Sequence, residues 1–179
     1  MRTRFAVPVV LATTLLVVGL AVAQEPPKKS EEKKTVSEAL SKLAGTHWTG
    51  NGELWLDKLG NEAHKSPCTL TVDPAVVGSF SYTWSHEGKP QSGSVVLRDG
   101  GVVWSDTWHQ PTPTQCTVLA DSWALLAAHY TFSMGGGPKW GWRLALAQRP
   151  TGELVIQMTV TKPWGEENRA ARMVFTRTP

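Results

Sequence analysis

The stretch VVWSDTWHQP, residues 102–111, sets Asp106 between Trp104 and Trp108, with His109 three positions on. A carboxylate desolvated by indoles has a raised pKa and can serve as an acid or base, which makes Asp106 and His109 the catalytic candidates of the chain. The competing role is structural, a buried carboxylate that accepts hydrogen bonds from tryptophan, tyrosine or arginine and ties the fold together. Side chains alternate along a strand, so Trp104, Asp106 and Trp108 share one face and His109 takes the other. On that geometry Asp106 and His109 grip a common ion only where the strand bulges.

The other reactive side chains form no recognisable set. His47, His64, His86 and His129 are scattered without ligand-type spacing, so no metal site is expected. There is no G-x-S-x-G, no H-E-x-x-H, and no cysteine with a neighbouring histidine. The run GGGPKWGWR, residues 135–143, lacks the GK[ST] ending of a phosphate loop and leads into a strand, which fits a connection at a barrel rim. Glu166 and Glu167, in the loop PWGEEN, read as solvated acidic surface. Cys68 and Cys116 can bridge or remain two buried thiols, and spacing does not choose between these.

From His47 onward the apolar pattern has a period of two. Candidate strands fall at 46–56, 65–73, 76–86, 89–98, 101–109, 114–120, 123–133, 140–149, 153–162 and 169–177. Ten consecutive strands with short connections predict an all-β antiparallel meander, and closing it into a barrel removes its exposed edges. Ahead of it, Val36, Ala39, Leu40 and Leu43 have helical spacing, with Thr35 and Glu38 as a capping box and Gly45 as a stop. A short helix plugging one end of the barrel is the expectation.

Three turns set register. Glu87-Gly88 as a two-residue turn pairs His86 with Lys89, Trp84 with Gln91, Tyr82 with Gly93 and Phe80 with Val95. Asp99-Gly100 pairs Arg98 with Gly101, Val95 with Trp104, Gly93 with Asp106 and Gln91 with Trp108. Both registers agree on one face, with rows Phe80-Val95-Trp104, Tyr82-Gly93-Asp106 and Trp84-Gln91-Trp108. Glycine at position 93 leaves room over the middle strand for a side chain or a ligand. The three-residue loop Pro150-Thr151-Gly152 pairs Arg149 with Glu153 as an exposed ion pair and aligns Trp142, Leu144 and Leu146 with Val160, Met158 and Ile156. It sets Arg143 opposite Thr159. Carried onward, this register pairs Met158 with Met173, Ile156 with Phe175 and Leu154 with Arg177.

The chain has 179 residues with a formal charge of +3, which falls to +1 without Arg2 and Arg4. Those arginines, the apolar run Ala6–Ala23 and its Ala21-Val22-Ala23 end describe a secretory signal peptide over 1–23. A charged, Pro-containing linker over 24–34 and a single domain over 35–179 would follow. The expected address is therefore outside the cytoplasm, periplasmic or extracellular, with no stable membrane span after cleavage. A nearly neutral mature chain lacks the electrostatic footprint of a nucleic-acid binder.

A glycine and tryptophan opening the first strand (Gly45 to Trp48, then Gly50 and Gly52), followed by a meander closing on Arg177, resembles the calycin group: lipocalins, fatty-acid-binding proteins and nitrobindin-like barrels. The segments SYTWSHEGKP, WSDTWH, GPKWGWR and PWGEENRAARM resemble a bacterial family of unknown function with a lipocalin-like domain, over most of residues 45–177. The resemblance implies a calycin-like barrel in which Arg177 packs over Trp48, and it implies no activity. A nitrobindin-like haem would need a proximal histidine near the C-terminal strands, and none follows His129. His86, His109 and His129 are the only axial options, and no cofactor is expected.

These readings converge on an exported barrel that holds a small apolar or aromatic molecule in a Trp-lined cavity. Tyr82, Trp84, Gln91, Trp104, Asp106, Trp108 and Trp142 are the expected lining, and Trp48 and Arg177 are the structural pair. Two other readings are an enzyme using Asp106 as acid or base with support from Tyr82 or His109, and a filled barrel that binds a protein partner through its rim loops.

Overall fold

Period-two alternation gives each strand one apolar and one polar face, and the apolar faces turn inward together. The computed structural model describes residues 38–55, 63–98, 101–119, 123–133 and 135–179. The strands are β1 (His47–Trp55), β2 (Ala63–Val72), β3 (Phe80–His86), β4 (Lys89–Arg98), β5 (Gly101–Asp106), β6 (Gln110–Val118), β7 (Leu126–Ser133), β8 (Lys139–Gln148), β9 (Leu154–Thr161) and β10 (Glu167–Arg177). Each pairs antiparallel with its chain neighbours, β6 and β7 only at Thr117–His129 and Val118–Ala128, and β1 also pairs with β10, which closes the barrel. This architecture is compatible with a calycin-like fold. The expected signal segment, linker and Thr35 cap lie outside the described residues.

The two ends of the barrel differ. At the end where β1 begins and β2 and β10 finish, a helical turn at 38–41 precedes the first strand. Leu40 and Leu43 from this segment enter the core and plug that end. Gly45, with φ of 73°, reverses the chain after the helix, and its N–H bonds to the Val72 carbonyl. Trp48 is buried beside it and donates Nε1–H to the Thr46 hydroxyl at 2.8 Å. Arg177 is its cross-strand partner on β10 and is exposed. At the opposite end, here the mouth, the hairpins β3–β4, β7–β8 and β9–β10 turn, and so does the β5–β6 connection.

Turn chemistry sets most of the register. Glu87 and Gly88 both take positive φ, 50° and 73°, as a type I′ turn requires, and all four predicted pairs across it are present. Asp99 and Gly100 lie outside the described residues, but the flanking pairs Arg98–Gly101, Val95–Trp104 and Gly93–Asp106 match the expectation. Gly152 has φ of 91°, its N–H reaches the Arg149 carbonyl at 2.9 Å, and Arg149 meets Glu153 at 3.1 Å. Trp142, Leu144 and Leu146 face Val160, Met158 and Ile156, and Arg143 faces Thr159.

The β9–β10 register departs from expectation by two residues. Met158 opposes Ala171, Ile156 opposes Met173 and Leu154 opposes Phe175. A two-residue slip keeps every side chain on its own face, so inward-facing pattern alone does not detect it. The true register follows from the tighter Lys162–Glu166 turn, closed by Lys162 N–H to the Glu166 carbonyl at 2.8 Å, and from a bulge between Arg169 and Ala171. Four strand bounds also differ by three residues or more, one of them the start of β7, at Leu126 instead of Trp123. β3 starts at Phe80 because residues 73–79 form a turn in which the Asp73 carboxylate accepts from the N–H groups of Ala75 and Val76. β6 starts at Gln110, and β5 stops at Asp106, three residues short of expectation.

Candidate functional site

The early end of β5 builds the site. A bulge interrupts β5–β6 pairing between Trp104 and Asp106, and the chain turns at Thr107–His109. Asp106 caps this turn as aspartate commonly does, its Oδ1 accepting from the N–H groups of Trp108 at 2.8 Å and His109 at 3.2 Å. The turn therefore takes both Trp108 and His109 out of strand alternation. His109 swings back so that Nδ1 lies 3.3 Å from Asp106 Oδ1, which corrects the strand-based placement of the two on opposite faces. Trp108 never reaches the place opposite Gln91 and is 42% exposed. Gln91, half-buried, accepts from the Thr107 hydroxyl at 2.7 Å instead.

Below the turn lies a closed polar network. The Tyr82 hydroxyl donates to Asp106 Oδ2 at 2.8 Å and accepts from Trp104 Nε1–H at 2.9 Å. All three residues are about 1% exposed. Tyr82 lies across Gly93, where an added Cβ would stand 2.1 Å from Cζ of the ring. The room left by that glycine is thus taken by a side chain.

The network also settles the charge of Asp106. Burial pushes its carboxyl pKa up, but the hydrogen bond and charge of His109, the Tyr82 hydroxyl and the Trp108 N–H outweigh it and hold the group below its ordinary value. The expected upward shift is therefore reversed, and Asp106 is an ionised acceptor. Tyr82 moves the other way, well above an ordinary phenol, because burial and the neighbouring Asp106 charge both oppose its ionisation.

Above the network the rings form a stack at the mouth. His109, its side chain 11% exposed, sits 4.3 Å from the Trp142 ring and 6.0 Å from Trp84, nearly parallel to the latter at 21°. Trp104 and Trp142 stack at 6.2 Å and 11°. Trp108 meets His86 edge-on at 4.4 Å and Trp84 at 6.0 Å. Three ring nitrogens of this cluster, Trp84 Nε1, Trp142 Nε1 and His86 Nδ1, are buried without a hydrogen-bond partner among the described residues. Farther out, Trp164 is 69% exposed on the β9–β10 turn, edge-on to Trp140.

Beneath this stack the described side chains pack closely around Trp104 and Trp142. Between Trp104, Trp142, Tyr130, Val95, Val102 and Cys116 there is about 200 Å³ of space between atoms, nowhere wide enough for a water molecule. Cys68 and Cys116 are free buried thiols, pushed up to about 12 and about 11 by desolvation. No group of three metal-ligating side chains gathers among the described residues, and no helix among them is long and apolar enough to cross a membrane.

Of the expected lining, the structure brings together Tyr82, Trp84, Trp104, Asp106 and Trp142, with Trp108 over their outer edge and Gln91 beside the turn. Sequence reasoning missed His86 and His109 as members of the ring cluster. His86 was within reach of a simple signal, since 80, 82, 84 and 86 share the inward face of β3. His109 required reading D-T-W-H as an aspartate-capped turn rather than as strand. No protein-family model matches the chain, and no curated protein matches it either.

Proposed function

We propose that the chain is an exported small-ligand-binding barrel that takes a flat, largely apolar or aromatic molecule at its tryptophan-lined mouth. The observation that carries this reading is the pairing of a ring stack with buried ring nitrogens, unpartnered among the described residues, at the end of the barrel opposite Leu40 and Leu43. Orphaned donors cost stability in a finished core, so their retention at one place supports an occupant that completes them. The close packing around Trp104, Tyr130 and Trp142 favours the mouth as the place of the ligand, and half-exposed Trp108 is the side chain positioned to move aside. The basic, apolar, A-x-A start of the chain supports export. In this reading the occupant is an exchangeable small molecule rather than a resident cofactor.

Tryptophan emission is the direct assay, because Trp84, Trp104, Trp108 and Trp142 all lie at or next to the site. Titration with a panel of flat aromatic molecules should give a saturable change that Trp108→Ala alters. Silence across the panel would instead support a filled barrel whose exposed rim tryptophans meet a protein partner.

The 3.3 Å approach of His109 Nδ1 to Asp106 favours one second reading, an acid–base dyad. Ionised Asp106 would orient the imidazole, and His109 would be the group exchanging the proton. Chromatography of the bound molecule after incubation separates the two: unchanged ligand supports binding alone, and conversion abolished by His109→Gln supports the dyad.

A further inference from the structure

We infer that the ligand of this mouth carries an acceptor oxygen, a carbonyl or carboxylate on a flat ring system, received by the indole N–H groups of Trp84 and Trp142. This rests on the binding reading above and names its ligand chemistry. The tryptophans differ in what their N–H groups meet. The barrel provides partners for the indoles it uses structurally: Trp48 Nε1–H reaches Thr46 at 2.8 Å, and Trp104 Nε1–H reaches Tyr82 at 2.9 Å. Even Trp164, on an exposed turn, donates to Glu166 at 3.0 Å. Trp84 and Trp142, 5% and 8% exposed, have no such partner among the described residues.

These two indoles flank one ring, His109, at 6.0 and 4.3 Å. An indole nitrogen only donates, so whatever completes them must accept. The side-chain oxygens of Asp106 and Tyr82 are already engaged. Both oxygens of Asp106 are taken by Tyr82, His109 and the turn N–H groups, and the Tyr82 hydroxyl accepts from Trp104. His86 Nδ1, also buried and unpartnered, adds a third ring nitrogen able to donate to the same ligand in one tautomer. Rings on several sides favour a flat partner, because aromatic contacts gain most from stacked or edge-on approach. An aliphatic chain with no acceptor would leave the donors buried and unpaired.

Indane, indanone and indane carboxylate share one bicyclic frame and differ at the acceptor, so they form the test, read by calorimetry on the full chain. Indanone, or its anionic counterpart, should bind about tenfold or more tighter than indane, the gain expected from two hydrogen bonds. Which of the two leads distinguishes a neutral carbonyl from a carboxylate. In Trp84→Phe and Trp142→Phe, which keep a ring and lose the N–H, the ratio of indanone to indane affinity should fall towards one. That ratio cancels a general loss of fold or stacking. Equal affinity of indane and indanone for the native chain would overturn the inference while leaving the binding reading intact. Binding of none of the three would overturn both.

Discussion

Replacing Tyr82 by phenylalanine removes one oxygen and disconnects the centre of the barrel. The hydroxyl is a node, donating to Asp106 Oδ2 at 2.8 Å and accepting from Trp104 Nε1–H at 2.9 Å, with both partners about 1% exposed. A hydrogen bond to an ionised group contributes about 1.5–3 kcal/mol, and a buried donor left without a partner costs about 1–3 kcal/mol. The combined loss is about 3–5 kcal/mol, a large share of the roughly 5–15 kcal/mol that stabilises a domain. At an m-value of about 2 kcal/mol per molar urea, the unfolding midpoint falls by about 2 M, followed by tryptophan emission. The pH dependence gives a second signature. Asp106 titrates below its ordinary value in the folded chain, so its stabilisation is present above that ordinary value and is lost as pH falls through the folded one. Tyr82 is one of the groups that depress it, and without the hydroxyl the folded value rises. The gap between native and variant stability should therefore narrow in acid. A loss below about 1 kcal/mol at neutral pH, or a gap of constant size down to about pH 2, would refute the network as drawn.

Gly93→Ala should cost about 3 kcal/mol or drive Tyr82 off Asp106, because the new methyl would lie 2.1 Å from the Tyr82 ring; a urea midpoint unchanged from the native chain would contradict that packing. Glu87→Asn should raise stability by about 0.5 kcal/mol in thermal unfolding, since Glu87 holds φ of 50° in a type I′ turn that favours asparagine. Cys68 and Cys116, with thiol values near 12 and 11, should resist a disulfide-exchange reagent in the folded chain and both react in urea without reductant. Rapid native labelling, or no reactive thiol in urea, would contradict two buried free cysteines.

Local turn chemistry explains why so much of the barrel was legible. Glu87-Gly88 and Pro150-Thr151-Gly152 are short and stereochemically demanding, so each allows one register, and cross-strand matching then carried it along two or three strands. The row of Tyr82, Gly93 and Asp106 followed from the Glu87-Gly88 turn together with the Asp99-Gly100 turn. The β9–β10 register was not legible, because beyond the bulge near Ala170 it differs from expectation by two residues, a slip that leaves the same side chains facing inward. At the site, the period-two rule was carried three residues too far past Asp106. Treated as strand, the segment put His109 on the outer face and left Asp106 without a basic partner. Treated as a turn capped by its own aspartate, it brings His109 to the carboxylate and reverses the expected pKa shift. The close packing around Trp104, Tyr130 and Trp142 depends on how large rings from facing strands interlock, and alternation along a single strand carries no such information.

The central claim is that the mouth cluster, rather than the outer rim or the interior, receives the ligand. The nine indole N–H signals of the ¹⁵N-labelled chain report on it directly, since the tryptophans span the plugged end, the network, the mouth and the surface. On titration with indanone, the Trp84 and Trp142 signals should move together and saturate, with Trp108 following, while Trp48 at the plugged end stays still. Movement confined to Trp123 and Trp164 at the surface, or no movement at any indole, would contradict the account.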